Sequence, residues 1–128
     1  MRAIVMDDSR VVRMALRRTL EGLTFEVTDF PDADSGYIWL QHGGRADVAL
    51  VDWNMPGMSG VDFVEVVRRD STYDQMFLVM VTSESAPERM QYALDRGADE
   101  YVIKPVAAQS LREKLELLGF RWSDSVER

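Results

Sequence analysis

Val48-Ala49-Leu50-Val51-Asp52 is an unbroken apolar run that ends on a carboxylate. A strand with one wet face alternates apolar and polar side chains. A run without alternation therefore reads as a strand covered on both faces, as in a parallel sheet. The pattern recurs. Ala3-Ile4-Val5-Met6 stops at Asp7-Asp8, Met76 through Val81 stops at Thr82, and Tyr101-Val102-Ile103 stops at Lys104-Pro105. Phe25-Glu26-Val27-Thr28-Asp29-Phe30 alternates and reads as a more exposed strand.

Helical patterns fill the intervals. Val12, Leu16 and Leu20 recur every four residues, with Arg10, Arg13 and Arg17 off that stripe and Gly22 as the stop. Ala33, Gly36, Tyr37 and Leu40 form a second stripe closed by Gly43-Gly44. Val61, Val64, Val66 and Val67 form a third before Arg68-Arg69. Ser85-Ala86-Pro87-Glu88 opens a fourth helix with a capping residue and an early proline, and Gly97 closes it. Leu111, Leu115 and Leu118 mark the fifth, ending at Gly119. Five strands alternating with five helices imply an α/β fold, a parallel sheet wrapped on both faces.

The chain has 128 residues, one domain's worth, and at that length folding hides roughly two-thirds of the unfolded surface. Its 15 Lys and Arg against 22 Asp and Glu leave a net charge of −7. A surface that negative repels phosphate backbones and anionic lipid, which argues against nucleic-acid binding. There is no cysteine, so disulfides, thiolate metal sites and cysteine nucleophiles are excluded. With His42 as the single histidine, a Ser-His-Asp triad has little to be built from. No run approaches the ~20 apolar residues that a membrane span needs, and charge arrives too early at Asp7 for a signal peptide. A cytoplasmic protein is expected.

In an open parallel sheet, ligands bind outside the carboxyl ends of the strands. Here those ends carry Asp7-Asp8, Asp52, Thr82 and Lys104. Three carboxylates at one rim repel unless a cation joins them. An all-oxygen cluster suits a hard ion, and Mg²⁺ accepts a site completed by water and phosphate. The Thr82 hydroxyl and Lys104 ammonium add the donors that a phosphoryl group wants. The set reads as a phosphoryl-transfer site with a carboxylate nucleophile.

Asp7-Asp8-Ser9, Asp52-Trp53-Asn54-Met55-Pro56-Gly57-Met58-Ser59-Gly60, Thr82-Ser83-Glu84 and Tyr101-Val102-Ile103-Lys104-Pro105 follow one another, each at the end of an expected strand. Together they resemble the motifs of the response-regulator receiver domain, in particular its stand-alone, CheY-like type, over residues 2 to about 118. The resemblance implies a flavodoxin-like (βα)5 doubly wound parallel sheet with strand order 2-1-3-4-5, the order known for flavodoxin and CheY. It implies a receiver domain over residues 1-118 and a C-terminal tail over 119-128, with no output domain.

The resemblance also implies roles. Asp52 would be the phosphoacceptor, charged from the phosphohistidine of a histidine kinase or histidine phosphotransfer protein. Asp8 and Asp52 would hold Mg²⁺ directly, Asp7 through water, and Asn54 through its backbone carbonyl. Thr82 and Lys104 would contact phosphoryl oxygens, and Thr82 with Tyr101 would form the switch read by a downstream protein target. Such a domain works as a monomeric signalling protein rather than an enzyme, although it catalyses its own phosphorylation and dephosphorylation. The chain departs from many receivers at Ser59, where Asp is common, and at Ser83, where a small apolar residue is.

Plainer readings stand beside these. Taken alone, Asp7 and Asp8 would equally serve as caps of the first helix, and it is Asp52 and Lys104 that favour the metal reading. Lys104 reads as a rim cation whose loss should leave folding nearly intact, and Tyr101 by default as a half-buried strand tyrosine. Arg10, Arg13, Arg17 and Arg18 read as a solvated helix face with a docking role open to it. Trp53 reads as rim packing and His42 as a helix-end residue. Among rival functions, a flavodoxin-like electron carrier needs a Ser/Thr/Gly-rich phosphate loop where this chain has Asp7-Asp8-Ser9-Arg10. An aspartyl phosphatase places its acceptor after the first strand and needs a cap for which 128 residues leave no room. The remaining alternative is a degenerate receiver that works as a phosphorylation-independent interaction module. It would have lost the acceptor or the lysine, and Asp52 and Lys104 are both present.

Overall fold

The computed structural model describes residues 1–122. Five strands, β1 (Arg2–Met6), β2 (Glu26–Phe30), β3 (Val48–Val51), β4 (Phe77–Thr82) and β5 (Glu100–Ile103), form one sheet in the order β2-β1-β3-β4-β5. Every pairing is parallel. The helices α1 (Arg10–Gly22), α2 (Ala33–Gln41), α3 (Gly60–Arg68), α4 (Pro87–Arg96) and α5 (Ala108–Leu117) make the crossovers. The flavodoxin-like order 2-1-3-4-5 is therefore observed. A short 3₁₀ turn at Ser71–Tyr73, which no hydrophobic period announced, precedes β4.

The absence of alternation in the strands has the meaning expected of it. Val48 and Leu50 face one core with Ala3, Val5, Val79, Val81 and Val102, under Leu16 and Leu20 of α1 and Leu111 and Leu115 of α5. Ala49 and Val51 face a second core with Ile4, Met6, Leu78 and Met80, under α2, α3 and Ala93 of α4. β3 is thus apolar at every position, and β1, β4 and β5 through their central residues, because both faces meet helices, while the edge strand β2 keeps its polar Glu26, Thr28 and Asp29. Past α5 the chain folds back, and the Phe120 ring meets Phe25 and Phe77 edge-on at 5.5 Å each. Residues 123–128 of the expected tail lie outside the described residues.

One expected cap is placed differently. α4 begins at Pro87 with Ala86 at the capping position, and no side chain caps it; Ser85 stands one residue too early. Proline at the first helical position removes one orphan N–H and presets φ, which lowers the need for a cap. Gly97 ends the helix at φ +124°, a conformation that an L side chain rarely adopts. No described helix is long and apolar enough to cross a membrane.

Candidate functional site

Strand register assembles the site. Met6 pairs with Val51, so Asp7 and Asp52 leave adjacent strands side by side. β4 runs further and pairs Thr82 with Ile103, which brings Thr82 next to Lys104. The backbone continues the ladder past the strand ends, with the Asp52 N–H donating to Met6 O at 3.0 Å and the Lys104 N–H to Thr82 O at 3.0 Å. Four loops that are distant in sequence are thereby fixed at one edge of the sheet.

Carboxylate oxygens of Asp7, Asp8 and Asp52 lie within 4.8 Å of one another. Asp7 is 1 % exposed and Asp52 7 %, while Asp8 is open to solvent. The ammonium of Lys104 donates to Asp7 Oδ2 at 2.7 Å and lies 3.4 Å from Asp52 Oδ2. Its side chain is only 20 % exposed. Lys104 is therefore not a rim cation but the counter-charge of two buried carboxylates, a correction to the sequence reading. Burial opposes its charge, yet the hydrogen bond to Asp7 and the fields of Asp52 and Asp7 outweigh it and raise its pKa. Burial pushes the Asp52 carboxyl above its ordinary value, with Asp7 adding to the rise and Lys104 and the Thr82 hydroxyl opposing it.

The capping reading of Asp7 and Asp8 does not survive. Ser9 caps α1, its Oγ accepting the Val12 N–H at 3.2 Å. Asp7 Oδ1 accepts the Ser9 N–H at 2.9 Å, a turn that holds the carboxylate over the sheet edge. Ser59, the departure from the common Asp, caps α3 by accepting the Asp62 N–H at 3.1 Å. Serine serves there as well as aspartate. Gly60 follows directly, and a Cβ on it would run into the Asp52 carbonyl oxygen, so only glycine lets α3 approach Asp52 this closely. Asn54 lies in the loop after β3, its amide 3.5 Å from Glu84 Oε2. Asp34 of α2 steadies the same loop by accepting the Met58 N–H at 3.1 Å.

Thr82 is fully buried, with its Oγ1 facing the Glu84 N–H at 3.4 Å. Tyr101 is 4 % exposed rather than half-buried, and its hydroxyl donates to the Glu84 carbonyl at 2.8 Å. Burial, with the field of Glu84, raises the phenol's pKa to about 12. Trp53 packs inward against Tyr92 with Arg89 over its ring. His42 ends α2 as expected.

The arginine face is only partly solvated. Arg13 Nε donates to Asp29 Oδ1 at 3.1 Å and its Nη1 to the Asp7 carbonyl at 2.8 Å. Arg17 takes the other Asp29 oxygen at 2.7 Å and Glu21 at 2.9 Å. Only Arg10 and Arg18 remain exposed. Asp29, with its grip on Arg13, is the site neighbour that the sequence did not suggest. The two sit 16 residues apart on elements whose adjacency depends on the strand order.

Three carboxylates, a hydroxyl and an ammonium at the carboxyl edge of a parallel sheet define a pocket suited to a hard cation and a phosphoryl group. Comparison with known proteins agrees. The response regulator receiver domain matches residues 3–116. Chemotaxis protein CheY1 of Helicobacter pylori is 37 % identical over 121 residues, covering 92 % of this chain and 96 % of that protein. Chemotaxis protein CheY of Pseudomonas aeruginosa is 34 % identical, covering 91 % and 94 %. The solved structure of the chemotaxis response regulator CheY4 of Vibrio cholerae superposes with a TM-score of 0.85 at 32 % identity, covering 91 % and 97 %. The chain belongs to the response-regulator receiver domain family. It is a CheY-like signalling domain whose acidic pocket fits a phosphorylation site.

Proposed function

We propose that Asp52 accepts a phosphoryl group from the phosphohistidine of a histidine kinase or histidine phosphotransfer protein, and that the charged domain then binds a downstream protein target. The observation that carries this reading is the grouping of Asp7, Asp8 and Asp52 around the Lys104 ammonium. A carboxylate oxygen of Asp52 attacks phosphorus as the P–N bond of the donor breaks. The imidazole leaves with the bonding pair and an acyl phosphate remains. Hydrolysis of that acyl phosphate by water ends the signal, so the domain turns over its own modification and acts on no outside substrate.

The donor set fits Mg²⁺: all oxygen, two carboxylates buried and one open to water, with no nitrogen or sulfur ligand. Asp8 and Asp52 would bind it directly, Asp7 through water because Lys104 and the Ser9 N–H already occupy its oxygens, and Asn54 through its backbone carbonyl. Bound there, Mg²⁺ supplies charge neutralisation between Asp52 and the incoming phosphoryl oxygens. Lys104 exchanges Asp7 or Asp52 for one of those oxygens, and Thr82 donates its hydroxyl to another.

The signal leaves through Thr82 and Tyr101. Thr82 moves toward the phosphoryl group, and the inward position of Tyr101 on the Glu84 carbonyl is the one favoured with it. The protein acts as a monomer in the cytoplasm. The test is incubation with a phosphohistidine donor, or with a small phosphodonor and Mg²⁺. One acid-labile phosphoryl group per chain is expected, and it should be absent from Asp52→Asn. A side-chain phosphoryl group that persists in Asp52→Asn overturns the assignment.

A further inference from the structure

Asp8 is placed by unusual means. Among the described residues its carboxylate has no hydrogen-bond or ion-pair partner, so nothing grips the side chain itself. Its position comes only from the backbone on either side. On one side, Ser9 caps α1. On the other stands the peptide unit joining Asp7 to Asp8, and the carbonyl of that unit accepts the Arg13 Nη1–H at 2.8 Å.

Arg13 is in turn immobilised. Its Nε donates to Asp29 Oδ1 at 3.1 Å, and the two side chains are 14 % and 17 % exposed. Asp29 is held on its second oxygen by Arg17 at 2.7 Å. A planar guanidinium can bind a carboxylate along one edge and a carbonyl along another in fixed geometry, which an ammonium cannot.

We propose that Arg13, locked by Asp29, is a positioning residue for the ion site: it holds the Asp7–Asp8 peptide so that both carboxylates are set toward Asp52 before the ion arrives. This rests on the Mg²⁺ reading given above. Partners that orient metal ligands typically matter by about 10- to 100-fold in affinity.

The sign of the effect separates positioning from simple charge. Arg13 is a cation beside a cation site, so electrostatics alone predicts tighter Mg²⁺ binding when it is removed. Positioning predicts weaker binding.

The experiment is a Mg²⁺ titration of the whole chain, followed by tryptophan fluorescence, on the parent and on Arg13→Met, Arg13→Lys, Arg10→Met and Asp8→Ala. Thermal melts accompany each titration. Arg13→Lys keeps the charge and the stem and so guards against misfolding. Arg10→Met removes an exposed cation from the same helix end without touching the peptide.

Mg²⁺ dissociation constants raised roughly tenfold in both folded Arg13 variants, with Arg10→Met at or below the parent value, are the expected result. Equal or tighter binding by Arg13→Met, or a parental constant in Arg13→Lys, overturns the inference while the metal reading stands, provided Asp8→Ala has lost binding. If Asp8→Ala titrates like the parent, the metal reading falls and takes this inference with it.

Discussion

Replacing Lys104 with methionine removes one charge and keeps most of the side chain's volume. In the folded protein it leaves Asp7 and Asp52, 1 % and 7 % exposed, facing each other without their shared cation. At their separation of at most 4.8 Å, an effective dielectric of about 20 gives a repulsion of roughly 3.5 kcal/mol or more. That agrees with the ~3–5 kcal/mol typically lost when one partner of a buried ion pair is deleted. For a domain of this size about 4 °C accompanies each kcal/mol, so Lys104→Met should melt roughly 12–20 °C below the parent at pH 7 without Mg²⁺.

Two further signatures distinguish repulsion from lost packing. Acidification lets one carboxylate take a proton, so the gap between variant and parent narrows as pH falls. Added Mg²⁺ stabilises whichever form it binds more tightly. It should raise the melting temperature of Lys104→Met more than that of the parent, where Lys104 competes for the same oxygens. Differential scanning calorimetry across pH and Mg²⁺ concentration reads all of this. A variant that melts within a degree or two of the parent, or whose deficit ignores both pH and Mg²⁺, would refute the account and restore Lys104 as a rim cation.

Asp52→Asn should be more stable than the parent at pH 7. A carboxyl whose folded pKa is raised binds its proton more tightly when folded, so stability is lost as pH rises through that pKa. The advantage of the Asp52→Asn variant should vanish below the unfolded carboxyl value of about 3.9, as melts across pH would show. Gly60→Ala drives a methyl into the Asp52 carbonyl and should cost at least ~1–3 kcal/mol in chemical denaturation, with weaker Mg²⁺ binding. An unshifted denaturation midpoint would mean that α3 can move away freely. Tyr101→Phe keeps the buried ring but leaves the Glu84 carbonyl without its donor, at a cost of about 1 kcal/mol in the same assay. It should still accept phosphate while binding its target more weakly.

The four buried strands were legible because burial on both faces writes itself as unbroken apolar runs, and this signal needs no partner to interpret it. Their ends were legible for the same reason. A charged residue after Val51 or Met6 can only sit where the sheet stops, so Asp7 and Asp52 declared themselves. Strand order was not written in any run. It came from resemblance, and what depends on adjacency was lost with it, including Arg13 on Asp29 and Phe120 between Phe25 and Phe77. The 3₁₀ turn at Ser71–Tyr73 is too short to show a period.

The misreading of Lys104 has a deeper cause. A residue's position in sequence says which element it ends, and Lys104 does end β5 at the rim. Whether its charge is solvated or buried is decided by how far neighbouring strands project. β4 carries Thr82 past the level of Asp52 and pairs it with Ile103, which lifts the next residue over the Asp7–Asp52 gap. The lysine stem can then lie along the sheet edge while its ammonium reaches inward to oxygens 2.7 and 3.4 Å away. A single cation thus balances two buried carboxylates in the resting domain. On the proposed function, a second cation and a phosphoryl group would have to rearrange those same contacts. The residue that stabilises the acidic pocket at rest is, on that function, also the one whose partners would change when the pocket is used.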